Sequence, residues 1–529
     1  MENKHPGRSE LALVRDFLLG EVDGEGRRMK LCVLAALVFG LAAHGLGLTN
    51  LLISHDSLHE FYWTASRDWK FTLGRFMEPI LRFLMGELIT LPWLAGLTGL
   101  LALGLTVHLL SKLFRLDRVW ENLLLAGVCV TNTTVTALIA TYVHDFAGDM
   151  TALLLSTAAA WAWSNMAGGF SWRWTLAGAV CLAMALGFYQ AYLAVTLTVL
   201  CLFALHRLMN GDRAKAVSAH LLRALPMGLL AVAGYALGVL VTQAVFGVEA
   251  SSGDPTNDLS QLGFNLSQLG ANFVRGYVAA LRDLFTNHWD SVKGVTGLAS
   301  LAVAAVNVVL LILALGSLGA DMVRHRRPWP EAAMTAALLL LFPVALRCVS
   351  MVSTSFHFLV RYADCLFYLL VLLCLRGRKA LLRAGAAVLM VFVLMNNVQM
   401  SNTAYEHKEL EDRATLSLMT RVMTRLDGTP DFDPETTEVA ILGDVGAQLK
   451  PLKPGGVRGI SGLFFLSPIT APDTMADYFE IVLQYPLNLA DQSRCRSLMQ
   501  TEAYRTMPVF PAEGCVETID GVVVVKMSE

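Results

Sequence analysis

Long apolar runs recur from residue 31 to residue 397, at intervals that suit helices of about 20 residues, the length that crosses a bilayer. Spanning segments must satisfy their backbone hydrogen bonds internally, which restricts them to helices or closed barrels. Barrel strands alternate and are far shorter, so a β-barrel is excluded. Composition agrees: 55% of residues are hydrophobic and 16% charged, against about 25% charged in an ordinary soluble domain. The chain is expected to be an all-α polytopic membrane protein. A net charge of −2 gives no argument for a nucleic-acid partner.

Eleven spans are expected, at roughly 31–53, 91–113, 120–142, 149–165, 174–188, 190–206, 224–247, 296–318, 331–350, 360–375 and 383–399. Basic residues test the alternation. Lys112, Arg115 and Arg118, then Arg173, then Arg207, Arg213 and Lys215, then Arg324, Arg326 and Arg327, then Arg376, Arg378, Lys379 and Arg383 all fall on the side of Arg27, Arg28 and Lys30. Residues 1–30 therefore form a cytoplasmic tail, with no cleavage pattern after it, and an odd count puts the C-terminal region on the outer face. The two short runs meeting at Gly187-Phe-Tyr-Gln-Ala-Tyr192 are expected to form a tight hairpin, because one helix there would reach about 50 Å.

Three domains follow: the tail 1–30, a transmembrane domain 31–400, and a small α/β domain 401–529 on the outer face. In the last, a polar helix over 403–426 leads to strands at 438–442 and 522–525 with a helix near 473–482 between them. Gly443-Asp-Val-Gly446 follows a strand but lacks the rest of a nucleotide-binding fingerprint. Cys495 and Cys515 are the two cysteines of this region and a candidate disulfide if it lies outside the cytoplasm. The other seven sit in or beside apolar runs as small core residues.

The first outer loop, residues 54–90, carries Ser54-His-Asp-Ser-Leu-His-Glu60 and then an expected interfacial helix from Trp69 to Met85. A second, residues 248–295, begins polar and continues as an amphipathic helix with Phe273, Tyr277, Leu281 and Phe285. Carboxylates at a membrane boundary are costly unless solvated or paired, and chemistry on a lipid-linked substrate needs a base there. Asp56 is the candidate base. Glu60, one turn on, is a second acid or a like charge that tunes it. Carboxylates just outside spans are also common without function. His55 and His59 share the loop, but their spacing is a weak metal signal and no metal is expected.

Arg75, in Gly74-Arg-Phe76 beside Glu78, would face lipid headgroups or the cavity of Asp56, although interfacial arginines also merely snorkel. The turn Tyr142-Val-His-Asp-Phe-Ala-Gly-Asp149 offers His144, Asp145 and Asp149, either solvated or in the site. Tyr189, Gln190 and Tyr192 suit sugar hydroxyls and equally suit membrane anchoring. Arg347, inside an apolar run, and Arg361, in Val360-Arg-Tyr-Ala-Asp364, need anionic partners; a lipid phosphate would serve, and an Arg361–Asp364 pair competes with it.

The acidic first loop leading into Gly74-Arg-Phe76, the Tyr189-Gln-Ala-Tyr192 hairpin and the arginine of Val360-Arg-Tyr362 resemble, in order and placement, the Gtr-type serotype-converting O-antigen glucosyltransferases, over most of residues 31–400. The resemblance implies a GT-C fold in the bacterial inner membrane. It also implies inverting transfer of glucose from a polyprenyl-phosphate donor to O-antigen or another surface glycan on the periplasmic face. In that reading Asp56 and Glu60 are catalytic, Arg361, Arg75 and Arg347 bind the donor phosphate, and His144, Asp145, Asp149, Tyr189, Gln190 and Tyr192 bind substrate, with no cofactor. A transporter or flippase of lipid-linked saccharides is the alternative; it would carry ionisable groups at mid-membrane depth, whereas here they gather at the outer ends.

Overall fold

The computed structural model describes residues 10–249, 266–285, 298–352, 358–448 and 472–529. The chain opens with α1 (Glu10–Leu19) and the first span α2 (Glu25–Thr49). Three short helices follow in the loop after it: α3 (His55–His59), α4 (Trp63–Thr72) and α5 (Met77–Leu84). The expected single interfacial helix is thus two. Gly74, at a φ of +70°, turns the chain between them, and a side chain there would lie 2.7 Å from the Tyr235 hydroxyl.

The membrane region continues with α6 (Pro92–Phe114), α7 (Val119–Val130), α8 (Thr133–Tyr142), α9 (Phe146–Ser164), α10 (Trp172–Phe188) and α11 (Leu193–Met209). Then come α12 (Ala214–Leu222), α13 (Ala224–Phe246), α14 (Leu266–Phe285), α15 (Leu298–Arg324), α16 (Trp329–Val352), α17 (Leu366–Leu375) and α18 (Ala380–Asp427). Neighbours pack in a chain of contacts, α2 on α6, α6 on α9, α9 on α10, α10 on α13, and α11 with α14 on α16.

Each expected span coincides with helix, but among the described residues seven are long and apolar enough to cross a membrane, or eight if the bent pair Val119–Val130 and Thr133–Ser164 is one span. The expected spans 120–142, 149–165, 174–188 and 360–375 fall short. The first breaks at Thr131 because Asn132 caps α8, its side chain accepting from the Thr134 amide at 2.9 Å. The last begins as a 3-10 turn, Phe358–Cys365, before the ten-residue α17. Between α10 and α11 the chain breaks at Tyr189, as the hairpin expectation requires. α16 contains Pro343 and is non-helical at Arg347. α14 bears out an amphipathic helix in the segment 248–295, packed on α16; the polar start at Ser251 to Asp258 lies outside the described residues.

α18 runs unbroken for 48 residues, about 72 Å, so the last span and the expected polar helix are one rod crossing residue 401. It leads to β1 (Val439–Leu442), α19 (Pro472–Asp477), α20 (Gln492–Leu498), α21 (Glu502–Thr506), β2 (Val516–Ile519) and β3 (Val522–Lys526). β3 lies between the others, parallel to β1 and antiparallel to β2. The sheet separates two small cores. Val523 and Val525 face Leu418, Met419 and Val422 of α18, whereas Val522 and Val524 face Leu498 and Tyr504. Cys515 belongs to the first core and Cys495 packs on the second, so both are free thiols and the candidate disulfide is not formed.

Candidate active site

The site begins where α2 hands over to α3. Ser54 and Ser57 form a capping box, each hydroxyl accepting from the other's amide, at 3.0 and 2.7 Å. The Ser54 hydroxyl also donates to the Thr141 carbonyl at 2.7 Å, which pins α3 to the end of α8. The Ile53 amide donates to Asp412 of α18 at 3.0 Å, and Ile53 and Leu58 complete the core beneath the C-terminal sheet. Asp56 rides on this clamped turn, partly exposed, and takes a hydrogen bond from the Tyr142 hydroxyl.

Glu60 ends α3 and is buried. Its Oε2 accepts from the Ser66 hydroxyl at 2.7 Å and lies 3.0 Å from Lys70 Nζ and 3.4 Å from His144 Nε2. Lys70 in turn lies 2.5 Å from Asp145. Burial opposes the charged form of Glu60, yet the Lys70 ammonium and His144 hold its carboxyl well below the usual range. Glu60 and Lys70 therefore form a fixed buried ion pair.

Glu78 behaves in the opposite way. Burial, then the Asp145 carboxylate, push its carboxyl well above the usual range. It fits because residue 148 is glycine: a Cβ there would lie 1.6 Å from Glu78 Oε2. Below it, Arg82 lies 3.6 Å from Glu87, whose carboxylate accepts from the Leu91 amide at 2.7 Å. Arg75 stacks on the Tyr189 ring at 4.3 Å. Gln190 donates to the Tyr235 hydroxyl at 2.7 Å and the Leu73 carbonyl at 3.2 Å, joining the α10–α11 break to the α4–α5 turn.

His144, Asp145 and Asp149 are buried, not solvated, and form one cluster with Glu60, Lys70 and Glu78. Tyr192 bridges toward a second group, its ring 6.3 Å from Tyr189 and 6.4 Å from Tyr362. There Arg347 pairs with Asp364 at 2.5 Å, so the aspartate that competed for Arg361 is engaged by the other arginine. Arg361 is buried in the 3-10 turn, whose Tyr362 carbonyl accepts from Asn132 at 3.2 Å. The two groups hold opposite ends of α8, ten residues or about 15 Å long.

Glu60, His144 and Asp145 offer ligand atoms within 4.8 Å of one another, a spacing that suits a metal ion. The Lys70 ammonium sits between the same two carboxylates and supplies a cation of the chain's own. Sequence reasoning passed over Lys70, since a lysine among aromatics on an interfacial helix looks like a snorkelling residue and nothing in its spacing points to Asp145. It also passed over Thr131-Asn-Thr-Thr134, where four polar residues in a row inside an expected span were the available signal.

No curated protein and no solved structure gives a match. The glucosyl transferase GtrII family matches residues 45–375, more than half of the chain. That stretch contains the clamped α3 turn, the whole charge cluster and the Arg361 turn, and the chain belongs to the GtrII glucosyl transferase family.

Proposed function

We propose that this glycosyltransferase moves glucose from a polyprenyl-phosphate donor to O-antigen or another surface glycan, with inversion, in a GT-C-type site on the periplasmic face of the bacterial inner membrane. The observation that carries the reading is the contrast between the two acids of α3. Glu60 is buried and fixed to Lys70, while Asp56 is partly exposed, clamped at its backbone and oriented by Tyr142. Asp56 takes the proton of the acceptor hydroxyl as that oxygen attacks the anomeric carbon. The bond from that carbon to the phosphate oxygen breaks, and polyprenyl monophosphate leaves with the electron pair.

Arg361 stabilises the departing phosphate, with Arg347 tied to the same turn by Asp364. Arg75, on Tyr189, adds positive potential beside the sugar, which His144, Asp145, Asp149, Gln190 and Tyr192 enclose. Glu60 keeps Lys70 and His144 in place. The basic connections support a cytoplasmic N-terminus and a periplasmic C-terminal module over residues 401–529.

The test is transfer from polyprenyl-phosphate glucose to lipopolysaccharide in membranes carrying the wild-type chain or Asp56→Asn at matched expression. Loss of turnover with donor binding kept supports Asp56 as the base. Equal turnover by both moves the base elsewhere, and no transfer by the wild type removes this donor or acceptor.

A further inference from the structure

The start of α8 holds three buried hydroxyls, those of Thr131, Thr133 and Thr134, with no hydrogen-bond partner among the described residues. Elsewhere in the membrane region Ser156 and Thr157 of α9 are likewise buried without a partner among the described residues, while other buried threonines have an outlet. Thr106 and Thr198 donate to the carbonyls of Ala102 and Ala194, four residues back. For Thr133 and Thr134 the equivalent carbonyls are those of Cys129 and Val130, freed by the break after α7. Both are already engaged: Cys129 accepts from the Tyr362 hydroxyl and Val130 from His44 Nε2, each at 2.9 Å. Two side chains from other elements thus satisfy the carbonyls and leave the hydroxyls as donors.

The three hydroxyls and two arginines are brought to this point, with Asp364 as the one carboxylate of the adjoining turn. A helix start carries partial positive charge and suits an anion. The turn bearing Arg361 is tied to it by the Asn132 side chain, and the Arg347–Asp364 pair fixes the kink of α16 against that turn. Arg347 and Arg361 outnumber Asp364 on those two segments. Three interruptions, the α7–α8 break, the non-helical Arg347 and the 3-10 turn, therefore adjoin. Non-helical backbone within a membrane belongs where it is buried in protein or lines a cavity. The break lies twelve residues, about 18 Å, along α7 from Val119, in a helix pair apolar enough to count as one span, so the anion that suits it is one carried on a lipid.

We propose that the start of α8 is the phosphate subsite of the lipid-linked donor, with the hydroxyls of Thr131, Thr133 and Thr134 and the positive helix end holding the phosphate oxygens beside Arg361. This rests on the reading of the donor given above. When the sugar departs, the phosphate passes from diester to monoester and gains negative charge, so fixed donors at this point bind the leaving group more strongly than the bound donor.

The experiment is equilibrium binding of polyprenyl monophosphate, and of the uncharged polyprenol, to the full chain in lipid nanodiscs. Thr133→Val with Thr134→Val is expected to weaken the phosphate lipid by about 10- to 100-fold, as for lost hydrogen bonds to a charged group, and to leave polyprenol unchanged. Thr133→Ser with Thr134→Ser keeps the hydroxyls and is expected to keep binding. Wild-type affinity in the valine variant, equal losses for both lipids, or equal losses in the serine and valine variants would each overturn the subsite. If that happens while Asp56→Asn abolishes transfer, the function stands and the subsite falls. If the wild type binds no polyprenyl monophosphate, the donor reading falls and takes the subsite with it.

Discussion

α13 and the α7–α8 pair are similar in length and both apolar, yet one is a continuous helix and the other is broken in its middle. Only Met227, Ala231 and Tyr235 of α13 are buried, whereas nearly every residue of α7 and α8 is. A helix surrounded by lipid has no other source of hydrogen bonds and must keep its own ladder. An interior helix can borrow. Here Asn132, His44 and Tyr362 take over the groups that the break releases. The outer helices hold the molecule in the bilayer, and the inner ones, freed from continuity, carry the polar groups.

The comparison is broken most severely by disturbing the inner polar framework. Asp364→Asn removes the carboxylate charge facing buried Arg347 and is expected to cost about 3–5 kcal/mol, seen as loss of monodisperse protein in detergent. Joint replacement by Arg347→Met and Asp364→Leu should recover most of it. Recovery failing would mean that the pair does more than neutralise itself.

Gly148→Ala comes next, because its Cβ would meet the Glu78 carboxyl. Overpacking of this kind costs about 1–3 kcal/mol, read from thermal denaturation, and shortening Glu78 to aspartate should relieve it. Glu78 itself gives a pH signature. Its folded-state carboxyl titrates well above the ordinary value of 4.5, so the folded chain holds a proton that the unfolded chain releases. Its contribution to stability therefore falls as pH rises from 4.5 toward the folded value, and Glu78→Gln should flatten that slope in melting curves.

Ser54→Ala removes the cap of α3 and is expected to cost about 1 kcal/mol, with turnover falling further than stability because Asp56 rides on that turn. The smallest effect has the opposite sign. Gly228→Ala in α13 meets nothing within 4 Å and should raise stability by about 0.5–1 kcal/mol in the same melts. Alanine thus tells the two regions apart at Gly148 and Gly228.

Much of the membrane architecture was legible because hydropathy reports directly on burial in lipid, and every expected span has helix in it. What could not be read were the interruptions inside spans. Thr131-Asn-Thr-Thr134 looked like minor polar content and Arg361-Tyr-Ala-Asp364 like charged residues within a helix, since the partners that make a break tolerable come from distant elements such as His44. The site was legible in part. Asp56, Glu60, His144, Asp145 and Asp149 were chosen by their nearness to span ends, and the structure gathers all but Asp56 around Lys70 with Asp56 at their edge. That Arg347 pairs with Asp364 was not legible, because it depends on a kink in α16 that is invisible in composition.

The core beneath the C-terminal sheet contains Ile53 and Leu58 together with Phe510, Val523 and Met527. Those residues are made at opposite ends of synthesis. The turn that carries Asp56 is therefore completed last although it is translated almost first, and a truncated or stalled chain leaves it unfinished. The order of assembly thus makes the packing of this early turn wait on residues 510–527, which are translated more than 450 residues later.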